Sequence, residues 1–327
     1  MTVISLPLCN RLAGKKVNMK IVFMGTPEFA VASLKKILQS GQQIAAVVTI
    51  PDKPKGRGQT LQPSAVKIEA LKHNIPVLQP ANLQDNDFIA RLKLLDAQLF
   101  VVVAFRILPK DVFTIPPMGT VNVHASLLPK YRGAAPINWA IINGESETGV
   151  TTMLIDEKVD TGGILLQRSV SITPEMNAGQ LHDLLAVEGA ELLLETLHKL
   201  QNNAVFPESQ SDASATKAPK ITKEICHLNF NKNALQIHNF IRGLSPYPAS
   251  FCIIDNKILK IFKANYIQDL NLPSQPGTIS HINEDYFQVA CASGAINVFE
   301  VQLEGKRRMS VSDFLNGYPL KTGIMLS

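Results

Sequence analysis

The chain has 327 residues, of which 46% are hydrophobic and 18% are charged, and its net charge is +5. This length predicts about two domains, each large enough to bury its own core. No apolar run approaches the roughly 18 residues that a membrane-spanning helix needs, so we expect no membrane-embedded part. The 4 cysteines form no CxxC pair, which argues against disulfides and a zinc site and fits a reducing compartment, the cytoplasm.

Residues 1–18 fit no structural element. They are basic and free of acidic residues, which faintly resembles a transit peptide, but they contain one Arg and one Ser. The preferred interpretation is therefore a disordered leader or an upstream start codon, with the folded chain beginning at Met19.

The first domain, predicted over residues 19–207, alternates apolar strands with amphipathic helices. This alternation predicts a mostly parallel, Rossmann-like α/β sheet covered on both faces. Such sheets bind ligands beyond the carboxyl ends of their strands. The predicted strands are residues 21–25, 44–50, 99–104, 120–124, 150–155 and 164–169, and the main predicted helices are residues 28–39, 65–73, 82–94 and 178–201.

Two segments near the beginning of this domain suggest ligand contacts. Thr26 is the expected N-cap of the first helix, with Pro27 in its first turn. Residues 51–67 read as a long loop with Lys53, Lys55 and Arg57 between prolines and glycines. Such a loop can hold phosphates, although exposed basic loops are often merely solvated.

Asn122 and His124 are two residues apart at the end of a predicted strand, so both side chains project on the same face. There an amide can stabilise an oxyanion and an imidazole can transfer a proton, which together suit acyl transfer. A polar strand end that meets a turn is the simpler alternative. A second polar site follows at residues 156–163, where Asp160 could support His124. An Asp-Gly turn between strands explains that segment equally well.

Residues 208–220 are small and polar, which predicts a linker. The second domain, residues 221–327, is predicted to be a small antiparallel, OB-like β-barrel. It comprises a helix at residues 233–242, strands at residues 250–254, 258–264, 277–282, 287–290 and 295–303, and a last helix capped by Ser310 and Asp313.

The positive charge is concentrated in the second domain. Residues 19–207 carry 17 basic and 17 acidic side chains, whereas residues 217–327 carry 12 basic and 8 acidic side chains. This basic domain suggests a polyanionic partner, with a solvated basic face as the alternative.

The chain resembles the folate-dependent formyltransferases in the segment NVHASLLPKYRGAAPINWAI and in the later DTGG. The resemblance implies that Asn122, His124 and Asp160 are catalytic and that no metal is needed. It further implies folate contacts at two segments. The residues of these segments are Ser126, Leu127, Leu128, Pro129, Phe105, Arg106, Ile107 and Leu108.

The branch of this family that formylates methionyl-tRNA is the most similar, through FMGTPEFA, PDKPKGRG, FIRGLSPYPA and KRRMSVSDFLNG. It implies 10-formyltetrahydrofolate as the formyl donor, initiator methionyl-tRNA as the acceptor and a monomeric protein. Arg57 is the tRNA-binding residue that the resemblance implies. The clusters of positive charge add Lys53, Lys55, Lys306, Arg307 and Arg308 as predicted tRNA contacts. Lys158 and Arg106 depart from the usual pattern of the family. Formylation of a small amine, formyl-folate hydrolysis and a catalytically silent tRNA-binding protein remain as alternatives.

Overall fold

The computed structural model describes residues 19–55, 60–270 and 272–327. The predictions for the leader and for Arg57 lie outside these residues, and so does the side chain of Lys55. Among the described residues, no helix is long and apolar enough to cross a membrane.

The first domain is built on a mixed sheet. The strands of this sheet and of two separate two-stranded pairs, β3–β4 and β8–β11, are β1 Lys20–Gly25, β2 Gln43–Val48, β3 Lys53–Lys55, β4 Thr60–Gln62, β5 Val77–Leu78, β6 Leu99–Val103, β7 Thr120–His124, β8 Arg132–Gly133, β9 Glu147–Leu154, β10 Ile164–Ser171 and β11 Lys217–Ala218. Its helices are α1 Glu28–Gln39, α2 Ala65–Lys72, α3 Asn86–Leu94, α4 Lys110–Phe113, α5 Pro136–Ile142 and α6 Ala178–Gln201. Within the described residues the main sheet has 7 strands in the order β10-β9-β7-β6-β1-β2-β5.

Burial on both faces explains the apolar strands of this sheet. Ile21 and Phe23 of β1 belong to the core under α1 and α6, whereas Val22 and Met24 belong to the core under α3. Alternate residues of a strand point to opposite faces, so both sets must be apolar. The predicted Rossmann-like fold is confirmed.

The strand order determines where a ligand can enter. The strands β5, β2, β1, β6 and β7 run parallel. The chain places β2 and β5 on one side of β1 and then β6 and β7 on the other side, so the strand order switches between β1 and β6. At such a switch point the loops that leave neighbouring strands diverge and open a crevice. Beyond β7, β9 runs antiparallel to β7, and the edge strand β10 runs antiparallel to β9.

The second domain is an antiparallel sheet that its own last residues close. Its elements are α7 Ala234–Leu244, β12 Ser250–Ile254, β13 Lys257–Ile267, β14 Ile279–Ile282, β15 Phe287–Ala290, β16 Ala295–Leu303, β17 Met309–Ser310 and α8 Val311–Gly317. The sheet order is β12-β13-β16-β15-β14, with β17 beside β16. Ser327 exchanges backbone hydrogen bonds with Ile253 of β12, and Ile279 of β14 donates to Ile324. The tail thus joins the two edge strands, as a barrel requires.

Local structure departs from the sequence prediction at several places. Pro27, not Thr26, is the N-cap of α1, and the Thr26 hydroxyl is buried without a hydrogen-bond partner. The helix α5 was not predicted, because a short apolar segment has no periodicity that separates a helix from a strand. The basic loop at residues 51–67 contains the β3–β4 pair and the beginning of α2.

The predicted linker runs along the first domain. Its β11 pairs with β8, and Glu208 exchanges backbone hydrogen bonds with Ile164 of β10. Beyond it, the two domains meet at α7. Arg242 is only 8% exposed and donates to the backbone oxygen of Met176 at 2.9 Å. Asn138 of α5 donates to the backbone oxygen of Gly243 at 2.7 Å.

The interface histidine makes stability depend on pH. His238 is 3% exposed, and burial lowers its pKa below the ordinary value of 6.5, against the opposing effects of the Pro174 and Ala264 carbonyls and Glu175. A lowered folded-state pKa means that the unfolded chain binds a proton first as the pH falls. We therefore expect the melting temperature to fall as the pH drops below about 6.5.

His238→Gln should flatten this dependence in calorimetric scans between about pH 7.5 and pH 5. His198→Gln, at an exposed position of α6, is the control and should keep the wild-type slope. An unchanged slope in His238→Gln would contradict the assignment.

Candidate active site

A cavity of about 330 Å³ lies at the carboxyl ends of β6 and β7. Its walls come from these two strands, the loop after β6, the loop after β9 and the residues around Gly133. The volume is near the lower end of the range for small-molecule sites. This ligand-sized crevice lies beside the β1–β6 switch point, one strand further along the carboxyl ends of the sheet, since no described residue of β1 lines it.

Two polar side chains of β7 face this cavity together. Asn122 and His124 both line it, while Val121 and Val123, on either side of Asn122, pack in the core. The two-residue spacing of a strand produces this arrangement, as the sequence predicted. An amide donor and an imidazole are thus held on a rigid element.

The backbone of Tyr131 orients His124. The Nε2 atom of His124 lies 3.0 Å from the carbonyl oxygen of Tyr131, so Nε2 carries a hydrogen and donates it. Nδ1 then faces Asp160, whose Oδ1 is 3.7 Å away. Because the histidine side chain is only 7% exposed, this pair lies largely out of water. Nδ1 is the atom that remains to exchange a proton with a ligand.

Asp160 reaches this position through an unusual backbone. Its φ of 57° lies in the left-handed region, which costs about 1–2 kcal/mol for a residue with a side chain. Its Oδ2 accepts a hydrogen bond of 2.9 Å from the backbone N–H of Gly133. Asp156 organises the preceding turn, since its Oδ1 accepts from the Lys158 backbone N–H and the Thr161 hydroxyl.

The loop after β6 forms the opposite wall of the cavity. All four residues predicted there, Phe105, Arg106, Ile107 and Leu108, line the cavity. Arg106 donates to the backbone oxygens of Pro80 at 2.8 Å and Ala81 at 3.0 Å, and burial lowers its pKa. Its guanidinium therefore ties the wall to the neighbouring loop while its edge borders the cavity.

The contact of Ser126, Leu127, Leu128 and Pro129 with a folate stays a prediction. None of the four is among the described residues that line the cavity. Ser126 is fully buried and donates to the backbone oxygen of Lys130 at 2.6 Å. The backbone N–H of Leu128 donates to the Thr151 hydroxyl at 3.1 Å. These residues shape the turn that carries the chain from His124 to Gly133.

The predicted basic residues differ in what surrounds them. Lys53, Lys306 and Arg307 are exposed. Arg308 is exposed as well, but it makes two hydrogen bonds, of 2.7 and 2.6 Å, to the carboxylate of Glu300 and lies over the ring of Phe262. Its charge is therefore already compensated within the protein.

The chain matches known protein families over most of its length. The model of the formyl transferase family matches residues 19–197, and that of the formyl transferase C-terminal domain matches residues 220–319. A protein of Desulforamulus reducens named methionyl-tRNA formyltransferase is 48% identical over 309 residues, which are 94% of this chain and 98% of the relative. The protein of that name from Caldanaerobacter subterraneus subsp. tengcongensis is 49% identical over 311 residues, 94% of this chain and 100% of the relative.

The chain belongs to the methionyl-tRNA formyltransferase family. Among solved structures, the sugar 3N-formyl transferase WlaRD, determined in the presence of dTDP and 5-N-formyl-THF, is similar with a TM-score of 0.64. The two chains are 25% identical, and the match covers 88% of this chain and 99% of that one. The resemblance read from the sequence is thereby confirmed at the level of the family and its enzymatic class.

The loop after β9 positions Asp160 and passes close to the backbone of β9. The DTGG segment supplies Asp160, and Gly162 lets the backbone pass close to β9. A Cβ at Gly162 would lie 1.7 Å from the backbone oxygen of Leu154. The loop must therefore move away if this glycine is replaced, and Asp160 moves with it.

Gly162→Ala should lower stability by about 1–3 kcal/mol, as overpacking does, and should reduce formyl transfer at the same time. Gly317→Ala at the end of α8 is the matched control, since a Cβ there meets nothing within 4 Å. The control should be neutral or stabilised by up to about 1 kcal/mol. Urea unfolding and initial rates measure both quantities, and a fully active Gly162→Ala would contradict the close approach.

Proposed function

We propose that the protein transfers the formyl group of 10-formyltetrahydrofolate to the α-amino group of methionine on initiator methionyl-tRNA, in preparation for translation initiation. The convergence of Asn122, His124 and Asp160 on one cavity carries this proposal. Sequence identity of 48–49% over 94% of the chain to proteins named methionyl-tRNA formyltransferase supports the acceptor. The apolar wall from Ile107, Leu108 and Ile155 suits the flat ring of a folate.

The reaction exchanges one carbon–nitrogen bond for another. The amine nitrogen bonds to the formyl carbon, the bond from that carbon to N10 of the folate breaks, the amine loses a proton and N10 gains one. A tetrahedral oxyanion forms between these steps. Such an intermediate needs hydrogen-bond donors for its oxygen and a group that moves the proton.

Asn122, His124 and Asp160 provide both the hydrogen-bond donors and the proton-transfer group. The amide of Asn122 and the Nδ1–H of protonated His124 donate to the oxyanion. The carboxylate of Asp160, 3.7 Å from Nδ1, stabilises the imidazolium and takes the proton of the amine, directly or through a water. The Tyr131 carbonyl keeps Nε2 occupied, so the donor on Nδ1 points to the reacting group.

The second domain favours a nucleic-acid acceptor over a small amine. It carries the exposed Lys306 and Arg307 and is joined to the first domain by the buried Arg242. A small amine would need only the cavity. Lys53, on the β3 strand, borders a second cleft of about 610 Å³ beside the N-terminus of α1, where a nucleic-acid end could approach.

Formyl transfer measured with several acceptors tests the proposal. Methionine-charged initiator tRNA should be formylated, whereas free methionine, glycinamide ribonucleotide and an amino-sugar nucleotide should not. Asn122→Ala and His124→Ala should each lower kcat by at least about 10²–10³ without loss of fold. Circular dichroism checks the fold. Near-normal turnover in either variant, or transfer to a small amine alone, would refute the proposal.

The double substitution of Lys306 and Arg307 by Ala should weaken tRNA binding and reduce the slope of log K against log salt by about 2, because each contact to a phosphate contributes about 1. Lys93→Ala is the control. This exposed residue lies in the last turn of α3, just before the amino end of β6, at the sheet edge opposite the cavity. Equal salt slopes for the double variant and the wild type would remove these residues from the interface.

A further inference from the structure

Gln210, in the segment between the two domains, makes hydrogen bonds with every polar atom of its side chain. Its Nε2 donates to the backbone oxygens of Asp160 at 3.0 Å and Gly162 at 2.8 Å. Its Oε1 accepts from Nε of Arg132 at 3.0 Å and from Nη2 at 2.9 Å. A fully used amide of this kind fixes the distance between the two segments it joins.

The first of these segments is the backbone that turns at Asp160. The left-handed φ of 57° is sparsely populated by residues other than Gly and persists only where the surroundings hold it. Gln210 bonds the carbonyl of this residue and the carbonyl two positions later.

The second segment receives the carboxylate of Asp160. Gly133, which follows Arg132, donates its backbone N–H to Oδ2 of Asp160 at 2.9 Å. The strand β8 that contains both residues pairs with β11, a few positions after Gln210. Gln210 therefore supports both partners of the hydrogen bond between Gly133 and Asp160. It contacts the side chain of Arg132, the neighbour of Gly133, and it contacts the backbone of Asp160.

We propose that Gln210 is a positioning residue for formyl transfer, which acts by holding the carboxylate of Asp160 against Nδ1 of His124. This inference rests on the proposed function, because it assumes that Asp160 acts in the reaction. Gln210 is not among the described residues that line the cavity, so it acts only through Asp160. The segment between the domains is thus part of the support of the active site.

Two variants of Gln210 separate its contacts. Gln210→Ala removes all of them. Gln210→Glu keeps an oxygen for Arg132 but removes the Nε2 donor and places negative charge beside two carbonyl oxygens. We expect both variants to lower kcat by about 10- to 100-fold, the loss typical of a misplaced reacting group. The KM values for folate and tRNA should change by less than about 3-fold, because binding contacts remain. Ser211→Ala, at the exposed next position, should leave both parameters unchanged.

A double-mutant cycle with Asp160→Ala distinguishes positioning from general stabilisation. If Gln210 acts through Asp160, Gln210→Ala has no further effect on kcat once Asp160 is Ala, so the two losses are not additive. Melting temperatures of all variants are measured in parallel, and each rate is taken well below the lowest of them.

The outcomes separate the inference from the proposed function. Normal kcat in Asp160→Ala would overturn the catalytic assignment itself. A low kcat in Asp160→Ala with normal kcat in both Gln210 variants would overturn the inference alone. Additive losses, or a raised KM with unchanged kcat, would also overturn it, because either result places Gln210 outside the path through Asp160.

Discussion

Burial of the parallel sheet on both faces is the constraint on which the rest of the molecule depends. Strands such as β1 and β6 are covered by helices on either side, so their side chains must be apolar along nearly their whole length. Polar chemistry is thereby confined to the ends of the strands. The switch point between β1 and β6 then selects the carboxyl end, where departing loops leave room for a ligand.

The active site combines groups from a rigid strand with a group from a loop. The backbone of Asn122 and His124 needs no further support, because β7 lies between β6 and β9 and its register is fixed on both sides. Asp160 has no such frame. Its position depends on a left-handed residue, on the close passage of Gly162 and on hydrogen bonds from distant parts of the chain. The loop is therefore the part of the site where small structural changes have the largest consequences.

The two domains are joined by contacts that also reach the site. Arg242 and Asn138 connect α7 to the first domain, while the segment between the domains pairs with β8 beside Asp160. A nucleic acid held by the basic domain would thus be anchored to the same framework that supports the reacting groups. This arrangement gives the apparently featureless residues 208–220 a structural function that their composition does not indicate.

The sequence by itself determined the local structure and the family. The helices α1 and α6 and the strands β7, β12, β15 and β16 have the predicted bounds, because their periodicity and caps are properties of neighbouring residues. The shared face of Asn122 and His124 follows from the two-residue repeat of a strand in the same way. The family resemblance was carried by short motifs and needed no tertiary information.

Only the tertiary structure decided which distant residues meet. It placed Asp160 beside His124, buried Ser126 and Leu128, and paired Arg308 with Glu300. Gln210 carried no signal in the sequence, since one glutamine in a polar segment is ordinary. The physical reason is common to these cases. Side-chain hydrogen bonds between segments far apart in the chain depend on how the strands and loops pack, and local periodicity contains no information about that packing.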